Sequence, residues 1–289
     1  MKGFTPLGMA SKSKGAEVAV TECGTRKDSC VSTDEVRVSF IDVGKGDCIL
    51  IQAGQAFGLI DTGYTNTAHK TAEYLHKQGV TQLEFVVITH YDRDHIGGLK
   101  TLGKAYSIRS LYLPDYAGAD KNYQLLSSAI RELGLIPQSV RDTKKLRLEN
   151  ASITISPSGI PYDPKAKGDE GNDNDLSIVA ELNHGDDSFL FTGDLESDGI
   201  EALLARTPGT FDILKMPRHG QKTPNTDELL DSIHPQVEDI TDDEDEPANK
   251  KVLKLLAEAD VKTYRTSIDG TIMVRCSGSG SYSITCDRG

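Results

Sequence analysis

The segment Val87 to Leu99, VITHYDRDHIGGL, follows an apolar run with two histidines, two aspartates and an arginine inside six consecutive positions. A strand ending at Thr89 would carry this loop to a sheet edge, where His90, Asp92, Asp94 and His95 can converge without burying bare charge. Two aspartates so close repel each other unless a cation offsets them. Imidazole and carboxylate together suit Zn²⁺ or Mn²⁺. Gly97 and Gly98 would let the chain turn closely past such ions into the next helix. The plainer alternative is a polar loop whose histidines cap local backbone groups, and one short motif does not decide between them. A fold that uses this loop must bring other strand ends to the same edge.

Three further segments do so. LIDTG places Asp61 at the end of an apolar strand, FLFTGDLES does the same for Asp194, and LKMPRHGQKT places His219 just past another strand. Around them the chain reads as α/β. VRVSFIDVG, CILIQAG and FGLIDTG are strands punctuated by glycine, and Thr67, Thr71, Tyr74 and Leu75 mark a helix that stops at Gly79. LEFVVIT and IRSLYLP are strands flanking a short helix near residues 96 to 105, and NYQLLSSAIRELG is helical. LSIVAEL and SFLFTGD form a strand pair across NHGDD. After them SDGIEALLART, FDILKMP, TDELLDSI, QVEDI, NKKVLKLLAEA and VKTYRT alternate helix and strand, and GTIMVRC with SYSITC closes as a hairpin. Strands that first meander and later alternate with helices predict two mixed β-sheets flanked by helical layers.

Composition narrows the function. No apolar stretch approaches the ~20 residues of a membrane helix, so no membrane partner is expected. The first 35 residues lack the apolar core of a signal peptide. The chain as written is therefore expected in the cytoplasm, or exported if a leader precedes it. With 44 acidic against 32 basic residues, the formal charge of −12 disfavours a broad footprint on nucleic acid and leaves room only for a local basic pocket. Five cysteines without metal-type pairing suggest free thiols, although Cys23 with Cys30 and Cys276 with Cys286 are conceivable pairs; Cys48 reads as core.

These segments, taken in order, resemble the metallo-β-lactamase superfamily, in the branch formed by the hydrolase domain of the competence protein ComEC and its free-standing relatives. The resemblance rests on FIDVGKGDCILIQ, LIDTG, THYDRDHIGG, NDLS, FTGD, LKMPRHGQKT and YRTSIDGTI. It implies an αββα sandwich over residues 36–289 with two divalent ions, Zn²⁺ or Mn²⁺, between the sheet edges. Residues 1–35 fall outside it and are expected to form a flexible tail. His90 and Asp92 would hold one ion, Asp94, His95 and His219 the other, and Asp194 would bridge them. Asp61 would orient a ligand histidine, and Asn174 and Ser177 match the branch's polar signature near the site. Two departures stand out. The third histidine that lactamases offer the first ion has no match, and the HPHP segment of many ComEC-type domains is replaced by DEDEPANKK, with Asn249 near one missing histidine.

Two ions sharing a water would activate it for attack, which predicts a hydrolase. Arg93 in the loop, with Lys215, Arg218 and Lys222 flanking His219, would neutralise a phosphodiester. The leading expectation is thus a phosphodiesterase or nuclease, with nucleic acid among its candidate substrates. Asp94, Asp194 and Arg218 are the catalytic candidates, and Arg93, Lys215 and Lys222 the substrate-binding ones. The alternatives are a lactamase- or lactonase-type amide or ester hydrolase, or a degenerate, non-catalytic binding module. The acidic run at residues 242–246 reads as a solvated face that limits access by long polyanions, and His69, His76, His184 and His234 as structural or solvated.

Overall fold

The computed structural model describes residues 34–118, 120–163, 165, 172–206 and 209–288. Cys23, Cys30 and nearly all of the expected N-terminal tail lie outside the described residues. The first half opens with the antiparallel meander β1 (Val36–Phe40), β2 (Ile49–Ala53) and β3 (Ala56–Ile60). It continues through α1 (Ala68–Lys77), β4 (Gln82–Leu83), β5 (Phe85–Val87), α2 (Arg93–Ile96), α3 (Leu99–Ala105) and β6 (Ser107–Ile108). β7 (Leu111–Pro114), α4 (Lys121–Leu133) and β8 (Pro137–Val140) complete it. The second half contains β9 (Lys144–Leu148), β10 (Ala151–Ser156), β11 (Val179–His184), β12 (Asp187–Phe191), α5 (Ser197–Arg206), β13 (Ile213–Lys215) and α6 (Thr226–Ile233). It ends with β14 (Val237–Ile240), α7 (Lys250–Glu258), β15 (Lys262–Arg265), α8 (Thr266–Asp269), β16 (Ile272–Cys276) and β17 (Tyr282–Cys286).

Eight strands, in the order β17-β16-β1-β2-β3-β5-β7-β8, make one mixed sheet, and seven, β15-β14-β13-β12-β11-β10-β9, make the other. The strand period of two sorts each sheet's side chains onto opposite faces. On β2, Ile49 and Ile51 join Val38, Ile153 and Phe191 in a core between the sheets, while Leu50 points the other way to meet Leu75 of α1, Leu99 of α3 and Leu126 of α4. On the second sheet Leu190 and Leu214 pack outward under Leu203 of α5, Leu229 of α6 and Val252 of α7. The layers are thus helix, sheet, sheet, helix, the αββα sandwich expected. Among the described residues no helix is long and apolar enough to cross a membrane.

Local chemistry explains the helix limits. The Asp120 carboxylate accepts from the amides of Asn122 and Tyr123 at 3.1 and 2.9 Å, and Gly134 ends α4 in the left-handed region. Asn249 caps α7 in the same way, accepting from Lys251 N at 2.9 Å. The helix expected near residues 96 to 105 is divided into α2 and α3. The break lies where the loop presses on the end of β3: a Cβ on Gly98 would stand 2.1 Å from the Thr62 carbonyl oxygen.

β8, β9 and β10 were not expected from the sequence. β8 and β9 are the outermost strands of their sheets, where KKLRL keeps lysines and an arginine on an exposed edge, as edge strands commonly do. Such strands carry too little apolar signal to read as buried. Cys276 and Cys286 are free thiols on opposite strands of the final hairpin, and Cys48 is buried.

Candidate metal centre

Strands β3, β5, β12, β13 and β14 end at the facing edges of the two sheets, and each hands on a polar residue within a few positions. In parallel and mixed α/β sheets this carboxyl-end edge is where ligands collect. Asp61 follows β3 with φ of +56°, uncommon for a residue with a Cβ. Its Oδ1 accepts from Thr89 N at 2.8 Å, and its Oδ2 accepts from Thr89 Oγ1 at 2.6 Å and lies 2.8 Å from His95 Nδ1. The carboxylate thereby fixes the start of the loop and the tautomer of His95 together.

The other two histidines of the cluster are also held through Nδ1. His90 Nδ1 lies 3.1 Å from Thr89 Oγ1 and 3.3 Å from Ser177 Oγ, whose oxygen also accepts from Asp194 N at 3.1 Å. His219 Nδ1 lies 2.9 Å from Thr241 Oγ1, which donates to Asp47 Oδ1 at 2.6 Å. In all three rings Nδ1 is occupied, and Nε2 is buried without a hydrogen-bond partner. Asp92 Oδ1 and Asp194 Oδ1 share that condition. His95 Nε2 is 3.5 Å from Asp194 Oδ1; His219 Nε2 is 3.1 Å from Asp194 Oδ2 and 3.5 Å from Asp94 Oδ2; His90 Nε2 is 3.6 Å from Asp92 Oδ2. Five orphaned atoms in one cluster of side chains would each cost about 1–3 kcal/mol if nothing met them. Imidazole nitrogens and carboxylate oxygens so arranged fit divalent cations.

Two sets of donors have all their atoms within 4.8 Å of one another: His90, His95 and Asp194, and Asp94, His95 and His219. The structure therefore brings all six expected ligands together, with His95 common to both sets and Asp92 reaching in beside His90. A third group, Asp47, Asp61 and His95, gathers on the Nδ1 side of His95, where Asp61 already accepts.

The charges balance locally. Burial alone would raise the Asp194 carboxyl, but His219, His95 and Lys215 hold it well below the usual range. Burial disfavours the charged His219 ring, yet Asp194 beside it raises the ring to about 10. Asp173 lies nearby, and burial pushes its carboxyl up to about 6.

Lys215 is corrected: it does not flank a mouth. Its ammonium is fully buried, 2.6 Å from Asp47 Oδ2 and 3.5 Å from Asp194 Oδ1, and donates to the Gly193 carbonyl at 3.1 Å. A lysine at the end of a buried strand can enter the interior only where carboxylates receive it. Arg218 and His219 both have positive φ, 49° and 53°. That turn sends His219 inward and leaves Arg218 partly exposed, its Nε 3.1 Å from Glu196 Oε1. Asn174 Nδ2 donates to the same Glu196 oxygen at 3.0 Å, so it steadies Arg218's partner rather than a histidine. Arg93 is exposed, its guanidinium 5.8 Å from the Tyr64 ring centre, and Lys222 is engaged by Asp227 of α6.

The acidic run is also corrected. Asp242 is fully buried and accepts from Arg265, from Ala248 N at 2.8 Å and from Ser267 Oγ at 2.6 Å. Asp243 accepts from Lys45 N at 3.2 Å, and only Glu244, Asp245 and Glu246 are exposed. Among the remaining histidines, His69, His76 and His234 are exposed, and His184 is buried and bonded through Nε2 to the Asp34 carbonyl at 2.9 Å. Asp47, Thr241 and Glu196 join the site without having been expected there. For Asp47 a signal was present, an acid wedged between Gly46 and the apolar run of β2.

The metallo-β-lactamase superfamily model matches residues 41–240. ComE operon protein 3 of Bacillus subtilis is 27% identical over 278 residues, covering 88% of this chain and 35% of that protein. Recombination protein 2 of Haemophilus influenzae is 31% identical over 206 residues, 70% of this chain and 23% of that protein. The chain thus spans about a third or less of these relatives. Among solved structures, the metallo-β-lactamase fold protein YhfI of Bacillus subtilis aligns with a TM-score of 0.54 at 13% identity, over 80% of this chain and 95% of that one, a likeness of fold.

Proposed function

Because this chain belongs to the metallo-β-lactamase superfamily, a fold built for metal-dependent hydrolysis, we propose that it is a dinuclear hydrolase of phosphodiesters, with nucleic acid as its leading substrate class. The observation that carries the reading is the convergence of three buried, unpartnered Nε2 atoms with the orphaned oxygens of Asp92 and Asp194. His90, Asp92, Asp94, His95, Asp194 and His219 would hold two divalent ions. When bound, such ions supply Lewis acidity and lower the pKa of water toward neutrality.

The chain's own residues do the rest. Asp61 and Thr241 fix the histidine tautomers, and Lys215 with Asp47 balances charge behind the donors. Arg218 is the cation placed to meet a substrate anion: Glu196 holds its Nε, which leaves the guanidinium edge for two phosphate oxygens. The names of the relatives, a competence operon protein and a recombination protein, support a nucleic-acid substrate. The test is hydrolysis of bis(p-nitrophenyl) phosphate and of a short single-stranded oligonucleotide by protein loaded with Zn²⁺ or Mn²⁺, beside β-lactam and lactone controls. Turnover of the neutral substrates alone would replace this reading with the amide or ester hydrolase.

A further inference from the structure

A cavity of about 620 Å³ opens beside the metal loop, lined by Tyr64, Thr65, Lys70, Arg93, Asp42 and Asp243 among others. Its volume falls within the roughly 300–1,000 Å³ of small-ligand sites. We propose that it is a second anion subsite, which holds the phosphate and base flanking the scissile diester of a single-stranded oligonucleotide. This rests on the reading that the metal centre cleaves phosphodiesters.

Arg93 stands between Asp92 and Asp94 in the chain, so the loop that offers carboxylates to the centre also brings a guanidinium to the cavity. The cavity and the candidate metal centre therefore draw side chains from the same short loop. Tyr64 lies close enough to Asp94 to feel its charge. Lys70 approaches from the first turn of α1. Among the described residues neither cation forms an ion pair.

The two acids of the lining are already engaged. Asp42 pairs with Arg288 and accepts from Gly44 N at 3.3 Å, and Asp243 accepts from Lys45 N and Glu246 N at 3.2 and 2.7 Å. An incoming phosphate thus meets two cations without ion-pair partners, Arg93 lying over one face of the Tyr64 ring, set against the charge of Asp243, which two backbone amides hold but do not neutralise. The Tyr64 ring supplies a face on which a base can stack, and only an unpaired base can reach it. In a protein of formal charge −12 such a local pocket is where a polyanion would be tolerated.

The experiment follows a fluorescein-labelled short single strand by anisotropy, with metal removed by chelation so that nothing is cleaved, and measures steady-state hydrolysis of bis(p-nitrophenyl) phosphate and the same strand separately. Lys70 is exposed, so its substitution leaves packing intact. Lys70→Ala should weaken strand binding about ten-fold and reduce the salt slope of log K by about one. Lys70→Glu should weaken it further, and neither should change turnover of the small diester. Tyr64→Leu should weaken the single strand and leave a duplex of the same sequence unaffected. Equal strand binding by wild type and both Lys70 variants, or no strand binding at all, overturns the subsite. Binding that depends on Lys70 in a loaded protein that hydrolyses no diester sinks the catalytic reading and leaves the subsite standing.

Discussion

The ammonium of Lys215 lies 2.6 Å from Asp47 Oδ2, and both side chains are buried. Lys215 ends β13 in one sheet and Asp47 leads into β2 in the other, so the pair joins the edges that present the candidate metal donors. Removing one partner of a buried pair leaves a bare charge, at a cost of about 3–5 kcal/mol. Lys215→Met should destabilise by that amount in chemical denaturation, because Asp47 is left buried without the cation that neutralises it. The double variant with Asp47→Asn should recover part of the loss. Purely additive effects would show that the two residues do not act as a pair.

The linked pH dependence has two ends. Lys215, buried but held charged by Asp47 and Asp194, has a raised pKa, and Asp47 a lowered one despite its burial. The Asp47 contribution is therefore present above the unfolded carboxylate value of ~3.9 and lost as pH falls through the folded one. The Lys215 contribution is present below ~10.4 and lost as pH rises through its folded value.

The candidate donors that the fold gathers were legible because four of them share one loop, His-x-Asp-x-Asp-His after an apolar strand, and Asp194 and His219 each follow another strand, as does Asp61 behind them. What escaped was the layer behind. Thr241 and Asp47 matter only through contacts spanning 194 residues of chain, which no periodicity encodes. Lys215 was misplaced for a related reason: a lysine reads as solvent-facing until the carboxylates that receive it are located. The edge strand β9 hid behind its own charge, β8 behind a short, mostly exposed PQSV with a single buried residue, and Asp242 behind the acidic residues that follow it in sequence.

The donor geometry sets the metal expectation. The chain should bind close to two divalent ions, and Asp194→Ala, which removes a donor shared with His95 and His219, should lose at least one. With three carboxylates among six donors, Mn²⁺ should support activity at least as well as Zn²⁺. Elemental analysis after reconstitution checks the first point, and no bound metal in either form would remove the site. Activity with Zn²⁺ and inhibition by Mn²⁺ would contradict the second.

Glu238 and Asp239 on β14 are fully buried, and none of their four carboxylate oxygens has a hydrogen-bond partner. Burial pushes both well above the usual range, and Asp239 raises Glu238 further. Their unfolded values are ~4.3 and ~3.9, so folding is favoured below those values and weakens as pH rises above them, by up to ~1.4 kcal/mol per unit for each group. Glu238→Gln and Asp239→Asn should each raise stability at pH 8 by at least about 1 kcal/mol and flatten the decline between pH 5 and 8. Denaturant midpoints across that window decide it, and unchanged pH profiles would mean that the carboxylates find partners in solution.

Arg218 distinguishes the phosphodiester from the neutral-ester reading. With Nε engaged by Glu196 at 3.1 Å, the guanidinium can present a planar fork to two non-bridging oxygens. Charge-assisted hydrogen bonds of this kind contribute about 1.5–3 kcal/mol each. If the contact strengthens as charge develops, Arg218→Ala should lower kcat/KM on a phosphodiester about ten-fold to a hundred-fold, at ~1.4 kcal/mol per factor of ten. Metal content should not change, because His219 and not Arg218 faces the donors. Ala and Lys both have a Cβ, as Arg does, so neither relieves the positive φ at this position. Lys should restore part of the activity, having the charge without the fork. Glu196→Gln should lie between wild type and Arg218→Ala, because it loosens the guanidinium without removing it. On a matched neutral ester Arg218→Ala should do less, since such a substrate carries no pair of charged non-bridging oxygens for the planar fork to hold. Kinetics on both substrates at fixed metal loading measure this, and equal losses on the two would assign Arg218 to the shape of the turn that sends His219 inward.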